Sequence, residues 1–293
     1  MRASTLDPRL ATLFGRVWRA LPDAAARAAA LGFPWTAVST PFVRWRGDQA
    51  VAHVGVIEIP LVLDGRRVRV GSIHAVCTDP DARGQGHCRA LMEEALAFCD
   101  SRYETVVLTT LIPDLYVKFG FRPLQEHGFV RPLPAAARER ATALVRPLSA
   151  DAPDDVRLLR RLLAERAPVS TRLGSQEDGT VLVVALLLTW GNFSRVHHHA
   201  TLDVVTVHEV RDRTLLLYDV VGPTLPPLDQ LTESIDADRV MVLFPPERLG
   251  DGFHPLPWDA SGAQRLGVDD TVLMARGPFV ETGPFMLQPL SRT

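Results

Sequence analysis

Arg83, Gly84, Gln85, Gly86, His87 and Cys88 follow an apolar, β-branched run that ends near Thr78, and they lead directly into the helical pattern Arg89-Ala-Leu-Met-Glu-Glu-Ala-Leu-Ala-Phe. A strand, a glycine-bearing turn and a helix start meet at this point. Gly84 and Gly86 free the backbone to curl, so that successive N–H groups point into one concavity. The helix dipole adds roughly half a positive charge there. The chemistry such a concavity performs is the binding of a phosphate or pyrophosphate.

Spacing narrows the kind of loop. A Walker loop requires a Lys after its last glycine, and His87 follows Gly86; a dinucleotide fingerprint requires a third glycine where Arg89 stands. What remains, Arg83-x-x-Gly86-x-Cys88, resembles the Arg/Gln-x-x-Gly-x-Gly/Ala loop of the GNAT superfamily of acyl-CoA-dependent N-acyltransferases. Downstream, the β-branched run 103–111 leads to Pro113-Asp-Leu-Tyr-Val-Lys-Phe-Gly-Phe-Arg-Pro-Leu124, which resembles the Tyr-x-x-x-Gly-Phe signature of the same family. Two motifs in the right order, with a helix and a strand between them, carry the resemblance together.

The resemblance implies roles for individual residues. The amides from Arg83 to Cys88 would seat the pyrophosphate of acetyl-CoA, and Tyr116 would act as general acid, giving a proton to the departing thiolate. Val76 and Thr78 fall, by position, where the family's Val-x-Pro strand meets the acetyl carbonyl and the pantetheine arm through main-chain groups. The general base is left open among Glu58, His74 and Asp79, none of which stands at a family motif position. The first domain also resembles that of Eis-type aminoglycoside acetyltransferases, in which a terminal carboxylate reaches the site, and Thr293 is the counterpart here.

Other reactive side chains are expected to be structural. His197 and His199 alternate on a strand and could share an ion, but no matched third ligand accompanies them, and outward-facing imidazoles are the expectation. No metal is called for. Cys77, Cys88 and Cys99 are an odd set without metal or disulfide spacing; Cys88 reads as the small residue of the loop rather than a nucleophile. Trp45, Trp190, Phe193 and Trp258 are expected in the core or between domains.

These residues need elements to position them. The chain has 293 residues, 46% hydrophobic and 23% charged, which suits a globular protein with two ordinary cores. A net charge of -2 leaves no basic field for nucleic acid. No signal peptide or membrane span is apparent, and a reducing, cytoplasmic setting is expected.

Helical patterning over 6–31 precedes a strand at 38–46. Two long strands, 50–63 and 68–78, join at Asp64-Gly65, a hairpin signal. The loop and helix of 83–100 follow, then a strand at 104–111, a short helix near 114–119 and a strand from Phe121. Prolines, alanines and charges over 131–150 mark the boundary between a catalytic domain, 1–135, and a second unit, 136–293. In that unit a helix is expected at 154–166, strands at 180–190, 195–208 and 214–221, a helix at 226–235 and a strand at 239–244.

The second unit echoes the first. Pro113…Gly120-Phe121-Arg-Pro-Leu124 recurs as Pro245…Gly252-Phe253-His-Pro-Leu256, each after an apolar strand. The fold class expected is α/β (α+β): tandem GNAT-like folds, each a mixed, mostly antiparallel sheet flanked by helices. The second copy has Arg248 in place of Tyr116, and Pro223, Pro226 and Pro227 remove amide donors where a phosphate loop would lie. Its role is expected to be structural or substrate-shaping.

The function expected is acetyl transfer from acetyl-CoA to a primary amine of a small molecule, with no nucleic-acid or membrane partner. Two alternatives stay open: a non-catalytic acyl-CoA-sensing or protein-binding module, and acetylation of a protein amine.

Overall fold

The structure is a computed structural model that describes residues 5–134, 145–258, 271–280 and 283–293. The expected boundary at 135/136 lies outside the described residues. Among them are two mixed, mostly antiparallel sheets flanked by helices.

Helix α1 (Pro8–Val17) starts on Asp7, whose carboxylate accepts the Arg9 N–H at 2.8 Å, with Pro8 in the first turn, where its missing donor costs nothing. Helices α2 (Leu21–Ala30) and α3 (Trp35–Val38) follow. The strands β1 (Ser39–Arg46), β2 (Gln49–Leu63) and β3 (Arg66–Thr78) form an antiparallel meander. Asp64 and Gly65 turn the β2–β3 hairpin with φ of 46° and 77°, the left-handed pair that a two-residue hairpin demands. Next come α4 (His87–Asp100), β4 (Val106–Thr110), α5 (Asp114–Val117) and β5 (Arg122–Pro123).

Beyond β6 (His127–Pro132) and β7 (Val145–Pro147) lies α6 (Pro153–Ala164), which buries Val156, Leu159, Leu162 and Leu163 on one face. The short β8 (Leu173–Ser175) pairs with the end of β2. Residues 180–190, expected as a strand, form helix α7 (Thr180–Trp190) instead. The run is apolar on every side and so carries no helical period; most of it is buried, and Ala185 and Leu188 turn toward a cavity beside β3 and β4. Three amides at its start find acceptors on the Glu177 carboxylate, from Gly179 at 2.8 Å, Val181 at 3.1 Å and Leu182 at 3.4 Å.

The remaining elements are β9 (Val196–His199), β10 (Val204–Arg211), β11 (Thr214–Val221), α8 (Leu228–Thr232), β12 (Arg239–Val242), β13 (His254–Pro257) and β14 (Val272–Arg276). The single strand expected over 195–208 is therefore two strands, antiparallel to each other.

The sheet orders reveal how the halves relate. The first runs β1-β2-β3-β4-β14-β5 and the second β13-β6-β12-β11-β10-β9-β7. Each contains an antiparallel meander, then a parallel step (β3 to β4, β11 to β12), then two antiparallel neighbours. The last-but-one strand is exchanged: β14, late in the chain, inserts between β4 and β5, while β6 inserts between β12 and β13. Two copies of one topology are thereby locked together by hydrogen bonds as well as by a shared apolar core.

Candidate functional site

Strands β3 and β4 pair only at Gly71–Val106 and Ser72–Val107 and then diverge. In the β2–β3 ladder, His53 faces Cys77 and Gly55 faces His74, so Val54 stands against both Ala75 and Val76. This is a β-bulge, and Ala75 adopts φ 47° to make it. Beyond Ser72 the β4-side edge of β3, with the main chain of Val76 and Thr78, is open.

A cavity of about 560 Å³ occupies the gap. Its floor is Ile73, His74, Ala75 and Val76 of β3 with Leu108, Thr109 and Thr110 of β4, and Tyr116 stands beside them. Trp18, Leu21 and Trp35 form one wall, Val181, Val184, Ala185 and Leu188 of α7 another, and Thr271, Arg292 and Thr293 close the end.

On the flank of this gap the loop 79–86 delivers the chain into α4. Gly84 and Gly86 have φ of 76° and 81°, and Gly86 is the left-handed cap of the helix. A Cβ at either glycine would meet nothing within 4 Å, so both are required for conformation, and the loop faces open space. The first amides of α4 have no acceptor within their own helix. Arg83, Gly84, Gln85 and Gly86 are exposed and His87 and Cys88 half-buried, a placement that suits an incoming phosphate. Arg46 donates to Gln85 Oε1 at 2.8 Å and braces the loop.

Tyr116 is 6% exposed, held in a one-turn helix by its N–H bond to Pro113 O at 2.9 Å and packed edge-on against Phe121. Burial, with the neighbouring Cys88, pushes its hydroxyl up to about 12, while a hydrogen bond from Thr110 acts the other way. The phenol therefore keeps its proton at every physiological pH. Burial also raises the Cys88 thiol, which keeps it protonated and a poor nucleophile.

The four base candidates separate clearly. His74 and Thr293 line the cavity. Glu58 does not: strand alternation turns it to the other face from Ile57, where it pairs with Arg69 at 3.6 Å and bonds Tyr103. Asp79 is buried away from the cavity, bound to Arg16 at 2.6 Å and to the Asp81 N–H at 2.9 Å, and it holds the loop. His74 Nε2 lies 2.9 Å from Ser39 Oγ, and burial depresses its imidazole well below the usual histidine range. Thr109 Oγ1 donates to the main-chain oxygen of Thr293 at 2.9 Å, and Ser72 Oγ hydrogen-bonds Thr293 Oγ1.

Sequence reasoning missed several neighbours. His53 is 2% exposed behind His74, with Nδ1 bonded to Ala75 O at 2.8 Å, so it pins the bulge. Arg292 and Glu126, 3% and 4% exposed, form an ion pair at 2.9 Å that fixes the Thr293 end of the chain. The α7 wall was hidden by its reading as a strand.

Two further expectations are corrected. His199 is buried rather than outward, its Nε2 2.9 Å from Thr206 Oγ1, which also bonds His208 Nδ1 at 2.8 Å. His197 stacks on His208 at 4.0 Å, and no metal-holding group occurs among the described residues. Trp45 is 39% exposed on the outer face under the Arg9 guanidinium, not in the core, whereas Phe193 is fully buried.

The second copy's gap is filled. Asp219, at the corresponding bulge of the β10–β11 ladder, is fully buried and bonded to Arg166 at 3.0 Å and Gln288 at 2.6 Å. Arg248, in the place of Tyr116, donates to Pro168 O.

Comparison with known proteins agrees with this geometry. Residues 18–124 match the family model of the acetyltransferase (GNAT) domain. No curated protein matches the chain in sequence. Among solved structures, a conserved protein of Enterococcus faecalis V583 described as a probable N-acyltransferase aligns with TM-score 0.55 at 13% identity, over 93% of this chain and 71% of that one. Eis1 of Mycobacterium abscessus aligns with TM-score 0.53 at 16% identity, over 91% and 70%. A GCN5-related N-acetyltransferase of Kribbella flavida aligns with TM-score 0.50 at 16% identity, over 94% and 71%. At such identities the likeness is one of fold. Family match, loop, bulged and splayed sheet together lead to one conclusion: the chain carries a GNAT acetyltransferase domain over residues 18–124 and has the mixed α/β fold of GNAT acyltransferases.

Proposed function

We propose that the protein is an acetyl-CoA-dependent N-acetyltransferase that acetylates a primary amine of a small molecule. The observation that carries this reading is a buried, protonated Tyr116 beside a cavity that opens between splayed strands next to a glycine-capped helix start. Residues 1–135 would hold acetyl-CoA and perform the transfer, and residues 136–293 would shape the acceptor side.

The loop amides from Arg83 to Cys88 receive the pyrophosphate, and the open β3 edge at Val76 and Thr78 receives the pantetheine arm as an added strand would. A main-chain N–H at the bulge polarises the acetyl carbonyl. The amine nitrogen attacks that carbon, the C–N bond forms, and the C–S bond breaks.

Tyr116 serves the leaving sulfur as general acid through a donated hydrogen bond. A hydroxyl near 12 is too weak an acid to give its proton fully to a thiolate whose unperturbed value is about 8.5, a gap of roughly 3 to 4 pH units. The net proton on the thiol is therefore supplied by the amine as it becomes an amide. The main-chain oxygen of Thr293 is placed to accept an amine N–H and orient it, and the neutral His74 takes the proton from the acidic tetrahedral adduct.

The test is release of free thiol from acetyl-CoA with a broad panel of amines, comparing the native protein with Tyr116→Phe. Turnover that falls about 10²-fold or more in the variant, with acetyl-CoA affinity retained, supports the reading. Unchanged turnover removes Tyr116 from the chemistry. Tight acetyl-CoA binding with no turnover of any amine favours a sensor.

A further inference from the structure

The acceptor side of the cavity is built almost wholly of carbon. Trp18 and Trp35 line one wall and Leu188 the other, and among the described residues no carboxylate side chain lines it. Its cationic side chain, Arg292, is already neutralised by Glu126 at 2.9 Å. At the mouth the apolar surface continues into solvent: Leu111 is 66% exposed, Ile112 59%, Leu188 42% and Trp18 37%. Isolated exposed apolar residues are ordinary, but four around one opening make a patch of the sort that meets an apolar ligand.

Resting on the acetyltransferase reading above, we infer that the acceptor is an arylalkyl primary amine with a single nitrogen and no second charge. Burying a second, unpaired charge in such a wall is costly, and beyond the Thr293 main-chain oxygen that would meet the reacting amine a polycation finds no acidic side chain among the described residues, while a flat aromatic body packs on the wall of Trp18 and Trp35. The same wall supplies an activating effect. Desolvation favours the neutral form of a buried amine, which is the nucleophile, so a strongly basic residue is not required at His74. Atoms balance as in any acetyl transfer: the amine loses one proton, the C–N bond replaces the C–S bond, and the thiol gains the proton.

The experiment uses the full chain and measures kcat/KM by thiol release with acetyl-CoA and four acceptors: 2-phenylethylamine, tryptamine, spermidine and kanamycin. Calorimetry with acetyl-CoA runs beside it. Preference for the two arylalkyl amines by on the order of 100-fold is expected. Leu188→Glu, at the exposed mouth, should lower that preference at least 10-fold and raise turnover of spermidine, a gain that misfolding cannot imitate.

Preference for spermidine or kanamycin, with acetyl-CoA bound normally, overturns the inference and leaves the transferase reading intact. So does faster turnover of 2-phenylethylamine with octanoyl-CoA than with acetyl-CoA, since the apolar space would then belong to the acyl chain. Thiol release from none of the four amines, despite bound acetyl-CoA, also overturns it. Absence of any acetyl-CoA binding removes the transferase reading and this inference together.

Discussion

Gly55 and His74 stand opposite each other across the β2–β3 ladder, so close that a Cβ on Gly55 would lie 2.5 Å from Cε1 and 2.8 Å from Cδ2 of the imidazole. The glycine is thus the seat of the ring. Gly55→Ala should displace His74, break its 2.9 Å contact with Ser39 Oγ and destabilise the fold by about 1–3 kcal/mol through overpacking. Steady-state kinetics should show kcat reduced with acetyl-CoA affinity nearly unchanged. Native kcat in the variant would remove His74 from the proposed proton path.

The buried groups predict an unusual pH–rate profile. Tyr116 holds its proton up to about 12, and His74 is held neutral well below the usual histidine range. Neither ionises between pH 6 and 9. The kcat/KM for an amine should rise with pH as the free amine deprotonates, with no falling limb before about pH 10. A descending limb near pH 8 would identify an acid other than Tyr116.

Acid should unfold the protein through its imidazoles. Burial lowers His53 from 6.5 to about 4, so between these values the unfolded chain binds more protons than the folded one, and stability falls as pH falls. One such group is worth about 3 kcal/mol by pH 4. His199, also lowered to about 4, acts in the same sense. Buried Glu177, raised to about 7, acts oppositely, since its folded form gains the proton first. His74 and His208, also lowered by burial, add to the loss and Asp219, raised by burial, opposes it; the imidazoles outnumber the carboxyls, so stability should fall on going from pH 7.5 to pH 4, read from urea midpoints. Glu177→Gln should steepen the loss.

The Arg292–Glu126 pair anchors the end wall. Glu126 also accepts the Leu287 N–H at 2.8 Å, so Glu126→Ala strands a buried guanidinium and a buried amide. A cost of about 3–5 kcal/mol in denaturant unfolding is expected, with acceptor turnover lost before acetyl-CoA binding. A change under 1 kcal/mol would show that this segment is not held by the pair.

The glycine turn capping α4 and the one-turn helix that carries Tyr116 were legible because both are local: two glycines before a helix, and a tyrosine before Gly120-Phe121, declare themselves over a few residues. The Asp64-Gly65 hairpin was legible for the same reason. Helix α7 was not, since an all-round apolar run has no period to distinguish helix from strand. The exchange of β6 and β14 was hidden because strand partners far apart in sequence leave no local mark. The cavity wall shared that fate: Trp18, Trp35 and Leu188 meet only once α1, α3 and α7 have packed. His53 carried no local signal, since its bond to Ala75 O exists only once the bulge has formed.

The proposed transferase depends on the turn leading into α4 holding the diphosphate of acetyl-CoA. Titration calorimetry with acetyl-CoA on the native protein and on Gly86→Val measures it most directly, because valine cannot adopt the φ of 81° found there without strain. One site per chain is expected, with affinity weakened at least about 10-fold in the variant, which is roughly 1.4 kcal/mol. No heat with the native protein, or equal affinity in both, would contradict it.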